Sequence, residues 1–134
     1  MSTPFGPQLI GETEKTLVAL LRRVLEGTGL TEPEWVTLRV AAQLEGDVNE
    51  RQLVAAVADR AHFPDAAELV EGVTSRGLID AGQLTAAGRA MVTDVLARIE
   101  AVTGAIWTNL AGNDVAATTR VLNEIVTRAR SILA

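Results

Sequence analysis

The stretch that most constrains the fold of this chain runs from Asn49 to Met91. Asn49, with Gln52 three residues later, forms an approximate capping box, which marks the start of a helix. The dipeptide Phe63-Pro64 ends that helix, because proline disfavours the helical conformation in the residue before it. A second helix follows and ends near Gly77, since glycine suits the left-handed position just beyond a helix. Two short helices joined by a tight turn are therefore predicted.

The residues after this helix pair predict a hairpin and then a long helix. Leu78-Ile79 and Gln83-Leu84 flank a turn at Asp80-Ala81-Gly82, so they can pair as a very short two-stranded wing. Thr85 then caps a fifth helix that runs to about Leu110. The predicted order is a helix-turn-helix followed by a small wing.

Further amphipathic helices flank this centre on both sides. A first helix is predicted from about residue 8, and a second is capped by Thr31 with Glu34 and runs through Glu45. Asn113 caps a last helix, and the apolar stripes of the fifth and last helices are too wide for one small domain to cover. Exposed apolar faces of that size usually mark an interface, so a two-fold dimer is predicted. Its interface residues are Phe5, Leu9, Ile106, Trp107, Leu110, Val121, Ile125 and Ile132.

Several segments of the chain match a known family in order and spacing. They are Leu69-Val70, Ser75-Arg76-Gly77-Leu78-Ile79 and Leu84-Thr85-Ala86-Ala87-Gly88-Arg89-Ala90, with Gly29 to Arg39 upstream. From roughly Leu17 to the C terminus the chain resembles the winged-helix repressors of the MarR (multiple antibiotic resistance regulator) family. The wing is shorter than is usual in that family.

The resemblance implies a mainly α fold and a single domain over residues 1–134. Its winged helix-turn-helix head with a small two-stranded wing would occupy about 32–84. Long terminal helices over about 8–27 and 86–133 would form a dimer base, because in that family the first and last two helices intertwine. The partners implied are a second copy of the chain, double-stranded DNA and a small aromatic ligand.

Composition limits the classes of function that the chain can have. It contains one histidine and no cysteine, which removes disulfides, thiolate metal sites and the common nucleophile–base pairs of enzymes. The carboxylate pairs Glu12 with Glu14 and Glu68 with Glu71 lack a third ligand and are interpreted as solvated helix faces. No enzymatic activity, metal or cofactor is predicted. Because no signal peptide or membrane-spanning apolar run is present, a cytoplasmic location is predicted.

The helix-turn-helix order predicts DNA contacts at the start of its second helix. That region is acidic, since residues 47–83 carry three basic and seven acidic side chains, within a net charge of −5. Carboxylates there can accept a hydrogen bond from cytosine but repel phosphate. Arg51 and Arg60 are candidate phosphate contacts, with pairing to nearby carboxylates as the alternative. His62 is interpreted as a turn or surface residue, with a DNA contact as the alternative. The predicted DNA-binding set is Asn49, Arg51, Arg60, His62, Pro64, Asp65, Ala66, Glu68, Arg76 and Gln83.

A ligand site is the third candidate. In the MarR family, small aromatic molecules bind between the dimer base and the winged domain, beside the second helix. Trp35 and Arg39, four residues apart, would offer an apolar ring and a cation to a carboxylated aromatic ligand. Packing of Trp35 in the core is the simpler interpretation, because apolar stripes at helical spacing are usually packing.

Two functions therefore remain open. The first is a homodimeric transcriptional regulator, in the manner of a repressor, that binds a palindromic operator and is released by a small ligand. The second is a diverged winged-helix module with weak or no DNA binding, which acts through protein or small-molecule contacts. The acidic reading helix and the short wing favour this alternative.

Overall fold

A computed structural model describes residues 2–44 and 46–134. Within these residues the chain is mainly helical, with six helices and one two-stranded antiparallel sheet. The helices are α1 (Pro7–Leu25), α2 (Glu32–Gln43), α3 (Glu50–Ala61), α4 (Ala66–Ser75), α5 (Ala86–Trp107) and α6 (Gly112–Leu133), and the strands are β1 (Ile79–Asp80) and β2 (Gln83–Leu84). This order confirms the predicted winged helix-turn-helix fold.

Two capping boxes fix where α2 and α3 begin. The Thr31 hydroxyl accepts from the Glu34 backbone N–H at 3.3 Å, and the Glu34 carboxylate accepts from the Thr31 N–H at 2.8 Å. Asn49 and Gln52 make the same reciprocal pair at 2.8 and 2.9 Å. Each box satisfies two backbone donors that a helix start leaves without partners. Both helix starts agree with the sequence prediction.

The end of α4 leads directly into the hairpin. Gly77 has a φ of 77°, and its N–H donates to the Thr74 carbonyl at 3.0 Å. The N–H of Leu78 donates to the Val73 carbonyl at 3.1 Å. These two bonds form a Schellman motif, in which a left-handed glycine lets the chain reverse sharply.

The hairpin turn lies against the start of α3. Its two central residues, Ala81 and Gly82, both have positive φ, 50° and 86°, which is the geometry of a type I′ turn. Gly82 is buried, and a Cβ on it would overlap the backbone of Asn49–Glu50. The turn therefore requires glycine for two reasons, its φ and its close approach to α3.

Several predicted helix boundaries need correction. The fifth helix ends at Trp107 and not at Leu110, because the chain leaves helical geometry at Asn109, where φ is 62°. The last helix begins at Gly112 with Ala111 as its N-cap, so Asn113 lies inside the helix and does not cap it. The second helix ends at Gln43, and its predicted end at Glu45 lies outside the described residues.

The chain divides into two compact units, Met1–Val102 and Thr103–Ala134. The core of the first unit is aliphatic apart from Trp35 and is drawn from helices α1 to α5 and the hairpin. Its fully buried hydrophobic side chains are Leu38, Leu53, Val57, Val70, Val73, Ile79 and Val95. The core thus holds α3, α4 and β1 together, which are the elements of the predicted DNA-binding head.

The second unit contains the last turn of α5 and all of α6. No side chain of α6 is buried. Four of its apolar residues recur at spacings of seven, three and seven, which places them on one side of the helix, as in a helix that packs against a partner helix. Val115, Leu122, Ile125 and Ile132 form this stripe, and their exposed fractions run from 37% to 85%. No helix among the described residues has the length and apolar character needed to cross a membrane.

Candidate nucleic-acid interface

The α3–turn–α4 unit is the candidate DNA-binding element. His62 ends α3 in the left-handed conformation, φ 56° and ψ 32°, and its N–H donates to the Ala58 carbonyl at 3.0 Å. The following Pro64 is exposed, and α4 starts two residues later. The structure therefore places His62 at an exposed turn, which is the simpler of its two interpretations.

The outer face of α4 is acidic. Asp65, Glu68 and Glu71 are exposed, and α4 contains no lysine or arginine. Asp65 stands at the N-cap position but its side chain makes no capping hydrogen bond. Any base contact from these carboxylates would be as a hydrogen-bond acceptor, which suits the amino groups of cytosine and adenine.

One residue of the predicted contact set lies in the core. Ala66 is 3% exposed and packs with Val70 and Val73. These three residues are four and three positions apart, so they share the inner face of α4. The prediction that the Ala66 side chain contacts DNA is therefore wrong in this structure.

Two arginines of α3, Arg51 and Arg60, are exposed. Among the described residues, neither Arg51 nor Arg60 forms an ion pair. The alternative that they pair with nearby carboxylates is therefore not realised. They are nine residues apart, about two and a half helical turns, so they leave α3 on opposite sides. A DNA duplex that contacts one side of α3 would therefore lie closer to one of these arginines than to the other.

Arg76 has a partner that the sequence did not predict. Its guanidinium donates to the Gly29 carbonyl at 3.0 Å and to the Glu34 carboxylate at 3.2 Å. Burial raises the pKa of Glu34, but the hydrogen bonds from Thr31 and the charge of Arg76 outweigh burial and bring the pKa below 4.5. Arg76 thus ties the end of α4 to the loop before α2.

The predicted ligand pair does not form one surface. Trp35 is 3% exposed and belongs to the core, whereas Arg39 is exposed. The packing interpretation of Trp35 is therefore the one that the structure supports. The same helix contributes to a shallow cavity of about 540 Å³ around the α1–α2 loop, which the sequence did not predict. It is lined by Arg22, Leu25, Glu26, Gly27, Gly29, Leu30, Thr31, Glu32 and Pro33.

The remaining predicted site residues lie on exposed or half-buried surfaces. Gln83 is exposed, and its amide nitrogen lies 3.5 Å from the Val48 carbonyl, a long contact. The side-chain oxygen of Asn49 is used in the α3 capping box. Leu9 is half-buried, and the other predicted interface residues are exposed: Phe5, Ile106, Trp107, Leu110, Val121, Ile125 and Ile132. No cluster of three potential metal ligands occurs in the described part of the chain.

These features define a class of protein by its fold: the winged-helix fold of the MarR-family transcriptional regulators, which the sequence resemblance predicted. No protein-family model and no curated protein sequence matches the chain. Solved structures do match it. A MarR-family transcriptional regulator from Rhodococcus sp. RHA1 is 23% identical, with a TM-score of 0.68 over 87% of this chain and 89% of that one.

Two other solved structures are similar over comparable lengths. CouR from Rhodococcus jostii RHA1, bound to p-coumaroyl-CoA, is 22% identical, with a TM-score of 0.72 over 87% of this chain and 88% of its own. The transcriptional regulator PA3341 is 23% identical, with a TM-score of 0.73 over 92% of this chain and 97% of its own. At this level of identity the likeness establishes the fold.

Proposed function

We propose that the protein is a transcriptional regulator that binds double-stranded DNA as a homodimer and represses from a palindromic operator. The observation that supports this most strongly is the fold, since transcriptional regulators match 87% or more of the chain, a span that includes α3, the turn and α4. In such a unit the second helix enters the major groove and the first lies across the phosphate backbone. The exposed arginines of α3, Arg51 and Arg60, are the candidate phosphate contacts in this proposal, and one of them is expected to carry most of the effect.

The homodimer is proposed from the apolar stripe of α6. Val115, Leu122, Ile125 and Ile132 would otherwise face water together with Trp107 and Leu110. A two-fold axis would cover this surface with its own copy and would place two α4 helices in symmetric positions. A palindromic operator follows from that symmetry.

The charge of the chain sets the kind of DNA binding that we expect. Each phosphate contact contributes about −0.9 to the slope of log affinity against log salt, and many proteins make six to ten such contacts. One or two arginines per protomer give a slope of only about −2 to −4. Repulsion from Asp65, Glu68 and Glu71 further weakens non-specific binding. The proposed protein is therefore a selective binder with a shallow salt dependence.

Fluorescence anisotropy with labelled DNA from upstream of its own coding region tests the proposal. At low salt we expect a complex with a Kd below 1 μM, within the range between non-specific and specific protein–DNA affinity. A scrambled duplex of the same composition is the control and should bind at least tenfold more weakly. Equal affinity for the two duplexes, or no complex with either, would contradict the proposal.

Single substitutions of the two α3 arginines locate the phosphate-contacting side. Because Arg51 and Arg60 leave the helix on opposite sides, Arg51→Ala and Arg60→Ala serve as controls for each other. We expect one of them to weaken every complex and reduce the salt slope by about one per protomer, and the other to have a smaller effect. Unchanged binding by both single variants and by the double variant would show that α3 does not contact phosphate.

A second candidate function is a winged-helix module with weak or no DNA binding. It is favoured by the three carboxylates on α4 and by the internal contacts of Arg76. In that case the cavity at the α1–α2 loop would be the functional ligand-binding site. A ligand there would also affect a DNA-binding form, because Gly29 lines the cavity and accepts a hydrogen bond from Arg76 at the end of α4.

Ligand binding is tested with the unmodified protein. Arg22 offers the cavity a cation for a carboxylate or phosphate, and Leu25 and Leu30 offer apolar surface. We expect p-coumaroyl-CoA, the ligand of the Rhodococcus CouR structure, to raise the melting temperature, with coenzyme A alone as control. Its addition to a preformed DNA complex separates the two candidates: release supports the ligand-controlled regulator. We propose no enzymatic activity or cofactor, and a cytoplasmic site of action.

A further inference from the structure

We infer that the β1–β2 hairpin braces the start of α3 and does not contact DNA, so that each protomer reads its operator from the major groove through α4 alone. This inference rests on the proposed DNA-binding function and specifies which groove is read. It rests on two observations. The tip of the hairpin packs against the start of α3, and the nearest arginines already donate hydrogen bonds within the protein.

The hairpin is held at its tip. Each strand has two residues, or about 7 Å of length. The turn residue Gly82 is buried against Asn49–Glu50, with no room for a Cβ between them. The adjacent Gln83 directs its amide toward the Val48 carbonyl. A hairpin of this length with its tip against the protein has no free end to enter a DNA groove.

The base of the hairpin is also fixed, by hydrogen bonds and by a buried side chain. The Thr85 N–H donates to the Leu78 carbonyl at 3.1 Å, and the Thr85 hydroxyl donates to the Gly77 carbonyl at 2.6 Å. Ile79 of β1 is 1% exposed and belongs to the core. Lifting the hairpin toward DNA would expose this side chain and break these bonds.

The exposed groups of the hairpin do not suit a phosphate backbone. Asp80 is exposed beside the turn, and no lysine or arginine occurs between residues 77 and 88. Of the two flanking arginines, Arg76 is engaged by Gly29 and Glu34, and Arg89 donates to the Leu84 carbonyl at 3.0 Å. A carboxylate without a free neighbouring cation repels DNA.

A charge reversal at the hairpin tests the inference. Asp80→Lys replaces a negative by a positive charge at an exposed position, and Glu68→Lys makes the same change on the outer face of α4. Salt slopes are measured on a random-sequence duplex around 0.15 M salt, where the Debye length is about 8 Å. We expect Glu68→Lys to steepen the slope by about one per protomer and to tighten binding roughly tenfold or more. Asp80→Lys should leave the slope unchanged and the affinity within about twofold.

A second measurement addresses the groove directly. A duplex whose A·T minor groove is occupied by netropsin should bind the unmodified protein with an affinity within about twofold of the free duplex, because only the major groove is read. Displacement of the protein by netropsin, or an Asp80→Lys slope as steep as that of Glu68→Lys, would overturn the inference. Absence of binding by the unmodified protein to any duplex would instead defeat the proposed function, and the inference with it.

Discussion

The guanidinium of Arg76 joins parts of the chain that are 42 and 47 residues apart in sequence. It binds the carboxylate of Glu34, which also closes the capping box of α2, and the carbonyl of Gly29. One side chain at the end of α4 therefore supports both the start of α2 and the loop before it. The pair is partly exposed, 39% for Arg76 and 20% for Glu34, so its net contribution is that of a screened ion pair and not of a buried one.

The lowered pKa of Glu34 predicts an acid-dependent loss of stability. A carboxyl group whose pKa falls on folding contributes stability that is fully present above its ordinary value of 4.5 and is lost as the pH falls through the lowered pKa. We therefore expect Glu34→Gln to lower the free energy of unfolding at neutral pH, and the deficit to shrink below pH 4.5. Urea unfolding across this pH range measures it.

The matched control for this prediction is Arg76→Gln. It removes the charge but leaves the hydrogen bonds between Thr31 and Glu34, so we expect an intermediate deficit and a weaker dependence on acid. A deficit of Glu34→Gln that stays constant from neutral pH to below pH 4.5 would contradict the linkage.

At the scale of elements, α5 meets the hairpin at a glycine. The first turn of α5 is anchored by the Thr85 hydroxyl, which accepts from the Gly88 N–H at 3.0 Å. A Cβ on Gly88 would overlap the Leu78 carbonyl, and the Leu84 side chain lies close as well. Gly88 is thus required by close approach and not by its backbone conformation.

We predict opposite effects of two glycine-to-alanine substitutions. Gly88→Ala forces the hairpin and α5 apart and should destabilise the protein by about 1–3 kcal/mol. Gly72→Ala is the control: Gly72 lies on the exposed side of α4 with nothing near a new Cβ, and alanine should stabilise the helix by up to about 1 kcal/mol. Thermal unfolding of both variants measures the difference, and equal melting temperatures would disprove the packing role of Gly88.

The local elements could be predicted from sequence, and the contacts between elements could not. Capping boxes at Thr31 and Asn49 and the glycine at position 77 are signals within four residues, so the starts of α2 and α3, the end of α4 and the presence of a hairpin were predicted correctly. The first strand is Ile79–Asp80, one residue later than the predicted Leu78-Ile79, because Asp80 pairs with Gln83 and does not lie in the turn. Asn113 failed as a cap, because Asn109 breaks the preceding helix earlier. Within the candidate site, the partners of Arg76 lie more than 40 residues away in sequence. Such contacts cannot be predicted from patterns of neighbouring residues. The burial of Ala66 depends on what α4 packs against.

At the scale of the whole molecule, α6 carries the exposed apolar stripe through which we propose that the protein dimerises. Its stripe residues are exposed, and Arg120, one of the charged residues of α6, lies on the opposite side of the helix from Ile125 and Leu122. The proposed homodimer uses the stripe, and the single-domain prediction over residues 1–134 depends on whether the two units, Met1–Val102 and Thr103–Ala134, unfold together.

We predict that Ile125→Glu disrupts the dimer. A carboxylate in the middle of an apolar interface should weaken self-association by about 2 kcal/mol or more, which is roughly thirtyfold in Kd. Arg120→Glu is the control, since it changes charge on the outer side of the same helix and should leave the dimer intact. Sedimentation equilibrium measures both, and a monomeric unmodified protein at micromolar concentration would remove the basis of the homodimer.

The burial of Gly82 against Asn49–Glu50 also restricts how this hairpin can change over evolutionary time. An insertion that lengthens the turn would have to move Gly82 away from Asn49–Glu50, and the first turn of α3 would lose this packing contact. A descendant with a longer hairpin would therefore need simultaneous changes near residue 49. We therefore expect the short hairpin and the beginning of α3 to change together.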